Sequence, residues 1–398
     1  MNLRLAPYAC LLPLIAACGT PAGNDTNGDE VASEDTSTDD TTSLGDTSTD
    51  DTTTGAPPEP EVMWLMEDIV FYDGYAGPVD EPVPEGVIRH SNSLDAVKLS
   101  DEQLASIQNT LKLGVIVGAL CDNYDRIGSV HLAMVPKGST TYVPSEVERL
   151  ELARFITPFM NMNKAPMTVP YEWEASNVVA ILKDPDLVAA YDFWFELSIF
   201  GVPYAANTEV PGCAGRNDTQ LGSLLIYTDS MQEPEDFDVL LPLAIEESFN
   251  NYAEGASDAV GTTKKTIDFD LAAESANVQL VLITSNHGAN AGGEEYNRRQ
   301  HYVYVDGMLA LQYKPGRDSC EPFRVYNTQG NGIYGASPKS DAEWQSFSNW
   351  CPGDVIDTRI IPLGPLGAGT HEFVIEVPDA VFAEGQGDIP LSLYVQAE

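Results

Sequence analysis

Carboxylate, imidazole and guanidinium groups are concentrated between Thr284 and Gly307. This short stretch holds two His, two adjacent Glu, two adjacent Arg and four Gly. In its second half, His301–Val305, successive side chains alternate between two faces as they do in a strand. Asp306-Gly307 is a tight-turn signal, and Met308–Tyr313 is predicted to be the return strand. A carboxylate-bearing loop at the lip of a β-hairpin is therefore predicted, and loops mounted on rigid strands often carry function. Surface ion pairs explain the same residues equally well.

A second group of polar residues, Cys121–Arg126, separates two predicted strands, Lys112–Leu120 and Ile127–Val135. Within it, Asp125 lies between a Tyr and an Arg. A carboxylate at a strand edge is a candidate general base, and the neighbouring Arg would hold it ionised or bind substrate. An Asp–Arg pair in an ordinary turn is the alternative.

The third group lies on the predicted strand Asp192–Gly201. Alternation with a period of two places four apolar side chains on the buried face and Asp192, Trp194, Glu196 and Ser198 on the other face. Trp beside carboxylates on an open sheet face is typical of a sugar-binding platform, because rings stack on sugars and acids bind hydroxyls. A half-buried Trp with solvated acids is the alternative.

The N-terminus of the 398-residue chain predicts export. Residues 1–17 resemble a bacterial lipoprotein signal peptide, with Cys18 as the acylated first residue of the mature chain. Residues 18–62 form an Asp/Thr-rich linker, expected to be disordered, in which the phrase DTSTDDTT occurs twice. The expected location is the bacterial cell envelope, lipid-anchored, with the outer membrane favoured and secretion as the alternative.

Charge limits the classes of partner. The net charge is −41, and the linker holds twelve acids and no base, so the folded part is itself acidic. Nucleic acid and anionic lipid head groups are therefore not expected as partners.

Four cysteines remain after Cys10 and Cys18, an even number for an exported protein. Of the three pairings, proximity favours Cys320–Cys351, which leaves Cys121 with Cys213. No CxxC or zinc spacing is present, so no metal and no cofactor are expected.

Many short strands separated by Gly and Pro predict an all-β protein with β-sandwiches, divided into residues 63–236 and 237–398. Helix signals are limited to Ser100–Ser106 and Pro144–Leu152. The remaining predicted strands are Ala153–Pro158, Asn177–Leu182, Gly222–Tyr227, Asp238–Ala244, Thr263–Leu271, Val278–Ile283, Val355–Pro362, His371–Val377 and Pro390–Val395.

Together these motifs resemble the peptide-N-glycosidase F family. The matching phrases, in order, are Cys121–Arg126, Arg154–Pro158 (RFITP), Glu196, Ile283–His287, Glu294–Tyr296 with Arg299 and His301, and Asn349–Gly353 (NWCPG). The resemblance implies two side-by-side antiparallel jelly rolls with the active site between them. It also implies hydrolysis, without metal, of the amide bond that joins the innermost GlcNAc of an N-glycan to Asn.

The resemblance assigns roles to individual residues. Asp125 matches the acid that acts on water, Glu196 a second acid, and Glu295 a third, with Glu294 as the choice after a one-residue slip. Tyr124 and Arg126 match positions that contact the sugar. Trp194, Tyr296 and Trp350 are the remaining expected contacts to an N-glycan or glycoprotein substrate, and a monomer is expected.

The sequence departs from the family pattern in three places. Gly293 and Asn297 stand where two Cys often flank the acid of the second domain, which predicts a looser loop. Phe347, Ser348 and Asn349 stand near a family Arg, and Leu197 and Ser198 stand where a Trp is expected. The reaction is thus better supported than the substrate. The runner-up is a glycan-binding or adhesion lipoprotein, while a glycosidase and a copper monooxygenase fit the sequence less well.

Overall fold

The computed structural model describes residues 60–398, except 234–236, 252–258, 289–293 and 382–386. The predicted signal peptide, the acylated Cys18 and nearly all of the predicted linker lie outside the described residues. Among the described residues, strands in four antiparallel sheets dominate. The all-β sandwich architecture predicted from the sequence is therefore confirmed.

Two of the sheets pack face to face as a first sandwich. In spatial order, one contains β1 (Glu61–Tyr72), β9 (Asp218–Asp229), β4 (Thr110–Ala119) and β7 (Thr168–Glu174). The other contains β15 (Val355–Ile356), β6 (Glu148–Ile156), β5 (Ile127–Pro136), β8 (Tyr191–Ile199), β3 (Leu94–Lys98) and β2 (Val87–Ser91). Their facing side chains, such as Phe71, Leu113, Leu132 and Phe195, form one buried cluster, which supplies the hydrophobic stabilisation of this half.

The other two sheets form a second sandwich around a separate apolar cluster that includes Leu280, Val303, Phe373 and Leu393. One sheet contains β10 (Val239–Asn251), β18 (Asp388–Ala397), β12 (Ser275–Thr284) and β16 (Thr358–Leu366). The other contains β11 (Lys264–Leu271), β17 (Gly369–Glu376), β13 (His301–Val305) and β14 (Met308–Tyr313). β6 of the first sandwich contacts the β10–β16 sheet, so the two halves share a wall.

Most predicted elements are present, with shifted ends. The hairpin at 301–313 is confirmed, and its turn residues Asp306 and Gly307 have φ values of 50° and 74°, as a primed two-residue turn requires. The capped helix at Ser100 is also confirmed as α1 (Asp101–Ser106).

Two predictions of local structure were wrong. Asn177–Leu182 is not a strand: it folds as a 3-10 turn followed by α2 (Val179–Lys183). Its buried residues, among them Val178, Val179 and Leu182, follow helical spacing, so tertiary burial overrides the β preference of Val and Ile. Pro144–Leu152 is helical only over Pro144–Glu146, because β6 begins at Glu148.

Two disulfides connect the four cysteines of the described chain. Cys320–Cys351 is confirmed, with 5.3 Å between the Cα atoms, and Cys121–Cys213 accounts for the remaining pair. Within the described residues, no helix has the length and apolarity that a membrane crossing requires.

Candidate active site

The loop between β4 and β5 is held in place by one buried carboxylate, Asp122. Its oxygens accept hydrogen bonds from the Arg126 guanidinium (2.7 and 3.3 Å), from the Tyr124 N–H (3.0 Å) and from the Val202 N–H (2.7 Å). Because Asp122 takes up the adjacent cation, Arg126 is bound within the loop and its side chain is largely buried. The second carboxylate of the loop, Asp125, is thereby left without this ion pair.

Asp125 faces the second sandwich. Its Oδ2 is buried and has no hydrogen-bond partner among the residues that the structure describes. Burial raises its pKa well above the usual range, the negative charge of Glu295 raises it further, and the Arg126 charge only partly opposes them. The structure thus brings Asp125 and Glu295 into one electrostatic environment.

The two adjacent glutamates of the second sandwich have different environments. Glu294 is fully buried and accepts hydrogen bonds from the Arg299 guanidinium (3.0, 3.0 and 3.2 Å) and the Val381 N–H (2.8 Å). Glu295 is only partly buried and accepts from the Gly288 N–H at 3.3 Å. Glu294 thus anchors the loop, whereas the charge of Glu295 acts on Asp125.

Burial also raises the pKa of Glu295, against the opposing effect of hydrogen bonds from the Tyr296 hydroxyl and the Gly288 N–H. Two neighbouring carboxyls that both resist ionisation tend to share one proton over a range of pH, with apparent pKa values that belong to the pair. Such a pair contains an ionised base and a protonated acid at the same time. Hydrolysis of an unreactive bond requires both groups, a base that activates water and an acid that protonates the leaving group.

Asn349 braces the Glu294–Tyr296 turn. It is buried, and its Nδ2 donates hydrogen bonds to the main-chain oxygens of Glu294 (2.5 Å) and Glu295 (2.6 Å). Together with the Glu294–Arg299 ion pair, this clamp holds the turn where the sequence lacks a flanking Cys pair. The expected looseness is therefore not found at residues 294–296; Gly293 itself lies outside the described residues.

A cleft of about 560 Å³ lies beside the carboxylate pair. This volume is within the usual range for small-molecule sites. Its lining residues come from both halves of the chain: Asn123, Tyr124, Phe159 and Glu209, then Tyr296, Gln329, Gly330, Asn331, Gly332, Ile333 and Phe347. Two aromatic pairs, Tyr124–Phe159 at 5.7 Å and Tyr296–Phe347 at 6.3 Å between ring centroids, offer apolar ring faces to a ligand. Tyr124 and Tyr296 thus lie where sequence analysis expects substrate contacts.

Glu196 does not join this site. It is fully buried on β8 and accepts hydrogen bonds from the Tyr142 hydroxyl (2.7 Å) and the Arg149 guanidinium (2.5, 2.9 and 3.1 Å). On β5 it is opposite His131, which lies four residues beyond Ile127, or roughly 13 Å along the strand from the end that carries Asp125. The expected convergence of three carboxylates is therefore wrong, because this strand position points into a separate ion-pair cluster.

Burial also changes the interpretation of two tryptophans. The face of β8 that carries Trp194 is not open: Trp194 is 4% exposed and is covered by Tyr142 and Val147, so no sugar platform exists there. Trp350 is 5% exposed, packs with Ile156 and Ile283 between the sandwiches, and donates its indole N–H to the Asn286 carbonyl oxygen (2.9 Å). Neither tryptophan lines the cleft.

A second cluster of charged side chains, which does not line the cleft, contacts both sandwiches. His131, Glu151 and Glu246 place ligand-type atoms within 4.8 Å of one another. Glu151 is already paired with Arg154 (2.6 and 2.7 Å), and the Arg154 guanidinium also donates to Ser285 (2.8 Å) in the second sandwich. These residues therefore form an ion-pair cluster. Arg154, the arginine of the RFITP phrase, connects β6 to the second sandwich through its hydrogen bond to Ser285.

Comparison with known families agrees with this geometry. The sequence matches two family models, "Peptide-N-glycosidase F, N terminal" over residues 62–214 and "Peptide-N-glycosidase F, C terminal" over residues 256–396. The chain belongs to the peptide-N-glycosidase F family. Comparison with curated protein sequences finds no match.

Solved structures of this family share the fold. A structure of PNGF-II is similar with a TM-score of 0.61 and 20% identity, over 85% of this chain and 66% of that one. Recombinant peptide N-glycanase F (PNGase F) gives 0.55 and 15%, over 86% and 96% of the two chains. PNGase F described as a glycosylasparaginase from Flavobacterium meningosepticum gives 0.53 and 14%, over 86% and 96%. The chain spans just under two thirds of the length of PNGF-II.

Sequence reasoning missed most of the cleft lining, including Asn123 and Glu209, and the loop residue Asn349. The first two are far apart in the chain but lie next to the two ends of the Cys121–Cys213 disulfide, so the cysteine pairing was a usable signal for them. Asn349 precedes the Trp-Cys-Pro-Gly phrase, but nothing in its sequence context indicates that it contacts residues 294 and 295.

Proposed function

We propose that this member of the peptide-N-glycosidase F family is an amidase that hydrolyses the bond between Asn and the innermost GlcNAc of N-glycoproteins or glycopeptides. The observation that carries the proposal is the carboxylate pair Asp125–Glu295 at the cleft between the two sandwiches, in which burial raises both pKa values. Family membership supplies the reaction type, and the pair supplies groups that can perform it.

The carboxylate pair shares one proton, and in the proposed reaction it reacts while that proton is on Glu295, so that the ionised carboxylate of Asp125 removes a proton from a water molecule. The water oxygen attacks the side-chain amide carbon of Asn, and the C–N bond then breaks. The departing nitrogen takes a proton from the protonated carboxyl of Glu295 and leaves as a glycosylamine, so that Asn becomes Asp and one water is consumed. The freed glycosylamine then reacts with a second water in solution, which releases ammonia and leaves the reducing sugar.

Tyr296 orients Glu295 in the site. Its hydroxyl hydrogen-bonds the Glu295 carboxylate, and burial followed by the charges of Glu295 and Asp125 raises its pKa, so it remains a protonated donor. The aromatic pairs on either side of the cleft hold sugar rings by their faces. Glu196 has no part in this chemistry, because its oxygens are engaged by Arg149 and Tyr142.

The test is release of N-glycans from a denatured glycoprotein by the wild type, by Asp125→Asn and by Asp80→Asn. Asp80 is exposed and does not line the cleft, so its substitution controls for the loss of one carboxylate. We expect release by the wild type and by Asp80→Asn and a loss of at least a hundredfold in Asp125→Asn. Glycan binding without release by the wild type would instead establish a binding protein on this scaffold.

We also propose that the protein is exported, anchored in the bacterial envelope through acylated Cys18, and monomeric. The lipobox-like sequence before Cys18 and the acidic linker after it support this proposal. Fractionation of cells that express the wild type or Cys18→Ala tests it: only the wild type should remain with the membrane. Size-exclusion chromatography of the detergent-free Cys18→Ala protein tests the monomer.

A further inference from the structure

Glu209 is a carboxylate on the cleft wall that the proposed chemistry does not use. It ends the short helix α4 (Ala206–Glu209), its side chain is exposed, and one of its oxygens accepts a hydrogen bond from Asn123 Nδ2 at 2.7 Å. Asn123 lies two residues before Asp125. The pair thus joins the helix to the loop that carries the proposed base.

A disulfide restrains the position of Asn123 and Glu209. The Cys121–Cys213 disulfide closes the base of both segments, and it packs with Ala206, Val210 and Met162 in a small buried cluster. A charge held in this way acts at a defined place in the cleft. An exposed Glu on a mobile loop would not.

Two side-chain oxygens beside the cleft, one of Asn123 and one of Asp125, accept no hydrogen bond from the described residues. Asn123 is 1% exposed, yet its Oδ1 has no hydrogen-bond partner within the part of the chain that the structure describes, and the same holds for Oδ2 of Asp125. Across the cleft, the side-chain oxygens of Gln329 and Asn331 already accept hydrogen bonds from the protein. Among the side-chain oxygens of this wall, the exposed carboxylate of Glu209 is the acceptor that a ligand with donors can reach.

The charge of this wall has one sign. The described lining contains no Lys, Arg or His. Two cations beside it are already engaged: Arg126 is paired with Asp122, and the Lys339 ammonium donates to the main-chain oxygens of Ile333 and Tyr334. The net charge of −41 adds a long-range field of the same sign. A cationic donor entering the cleft is attracted, whereas an anionic group meets Glu209 without compensation.

We propose that Glu209, oriented by Asn123, is a specificity-determining residue that favours glycopeptides with a basic side chain next to the glycosylated Asn and disfavours those with an acidic one. This inference rests on the proposed amidase function and names the substrate class of that same site.

The experiment compares two synthetic glycopeptides that carry the same glycan and differ only in Lys or Glu directly before the glycosylated Asn. For the wild type at low salt, we expect kcat/KM to favour the Lys peptide by about fivefold or more, mainly through KM. Glu209→Gln keeps an acceptor for Asn123 but removes the charge, so its ratio should approach one. Glu85→Gln, an exposed site away from the cleft, should keep the wild-type ratio.

A wild-type ratio near one, or an unchanged ratio in Glu209→Gln, would overturn the inference while leaving the amidase assignment intact. If neither peptide is cleaved, the amidase assignment fails, and titration of fluorescently labelled peptides gives the same comparison as a ratio of Kd values. A Kd preference for Lys that Glu209→Gln removes would then still support the charge selection. Equal Kd values, or no binding of either peptide, would refute it.

Discussion

Glu196→Gln separates the two carboxylate clusters, because the structure assigns Glu196 to stability and not to chemistry. The Glu196 carboxylate lies between Arg149, Tyr142 and His131 and has no exposed surface. Although burial acts to raise its pKa, His131 and Arg149 lower it from 4.5 to about 2. At about 1.4 kcal/mol per pKa unit, this environment favours the ionised form by about 3 kcal/mol.

Removing that charge leaves Arg149 and protonated His131 facing a neutral amide in a buried place. Breaking a buried ion pair typically costs about 3–5 kcal/mol, in agreement with the value from the pKa. With an unfolding entropy of about 2.1 cal/mol/K per residue over residues 60–398, a loss of 3 kcal/mol lowers Tm by about 4 °C.

Two assays, run on one preparation, decide this prediction. Thermal unfolding at neutral pH should show the fall in Tm, while kcat for glycan release, measured well below the lowered Tm, should stay within a few-fold of the wild type. Asp125→Asn should show the reverse pattern. A loss of a hundredfold in kcat for Glu196→Gln with Tm unchanged would refute the separation of the clusters and restore Glu196 to the active site.

Three further predictions concern the carboxylate pair, the buried imidazole and the loop clamp. The pH profile of kcat should be bell-shaped, since both carboxyls are protonated at low pH and both are ionised at high pH. In Glu295→Gln the alkaline limb should be lost from the residual activity, because that limb reports the ionisation of Glu295. Burial lowers the pKa of His131, but Glu246 and other partners raise it overall from 6.5 to about 9. The protonated imidazole therefore contributes about 3 kcal/mol to the stability of the fold below pH 6.5, and this contribution is lost as pH rises through 9. Over this pH range, Tm should fall less in His131→Gln than in the wild type. Asn349→Ala leaves two main-chain oxygens without donors and displaces Glu295, so kcat should drop about tenfold. The alkaline limb should move to lower pH, because burial then raises the pKa of Glu295 less. An unchanged profile would mean that Asn349 does not position Glu295.

The sequence predicts most of the strands, although not β1, β2, β3 and β7, and it does not predict which side chains reach the cleft. Asp125 can be identified as a candidate base from the sequence because it lies in a polar loop at the end of an apolar strand, whereas the role of Glu295 rests on the family resemblance. Trp194 and Glu196 were misassigned because alternation identifies the two faces of a strand and not what covers them. The segment that carries Tyr142 and Val147 covers the outer face of β8, and no local pattern in β8 encodes that contact.

The wall formed by Asn123 and Glu209 could not be predicted from either residue alone. Each looks like an ordinary surface residue, and the two are 86 positions apart. Only the Cys121–Cys213 pairing brings them together, and four cysteines leave three pairings open. Long-range contacts of this kind depend on the fold as a whole, while hairpins and caps, such as Asp306-Gly307 and Ser100, depend on neighbours in the chain.

The most direct test of the central claim is the product formed from a glycopeptide in heavy-oxygen water. If Asp125 and Glu295 hydrolyse the Asn–GlcNAc amide, mass spectrometry will show a released peptide in which Asn has become Asp with one heavy oxygen in its side-chain carboxylate, and neither Asp125→Asn nor Glu295→Gln will form it at the wild-type rate. A released peptide whose Asn still carries GlcNAc, with the heavy oxygen on the glycan, would show a glycosidase and contradict the account.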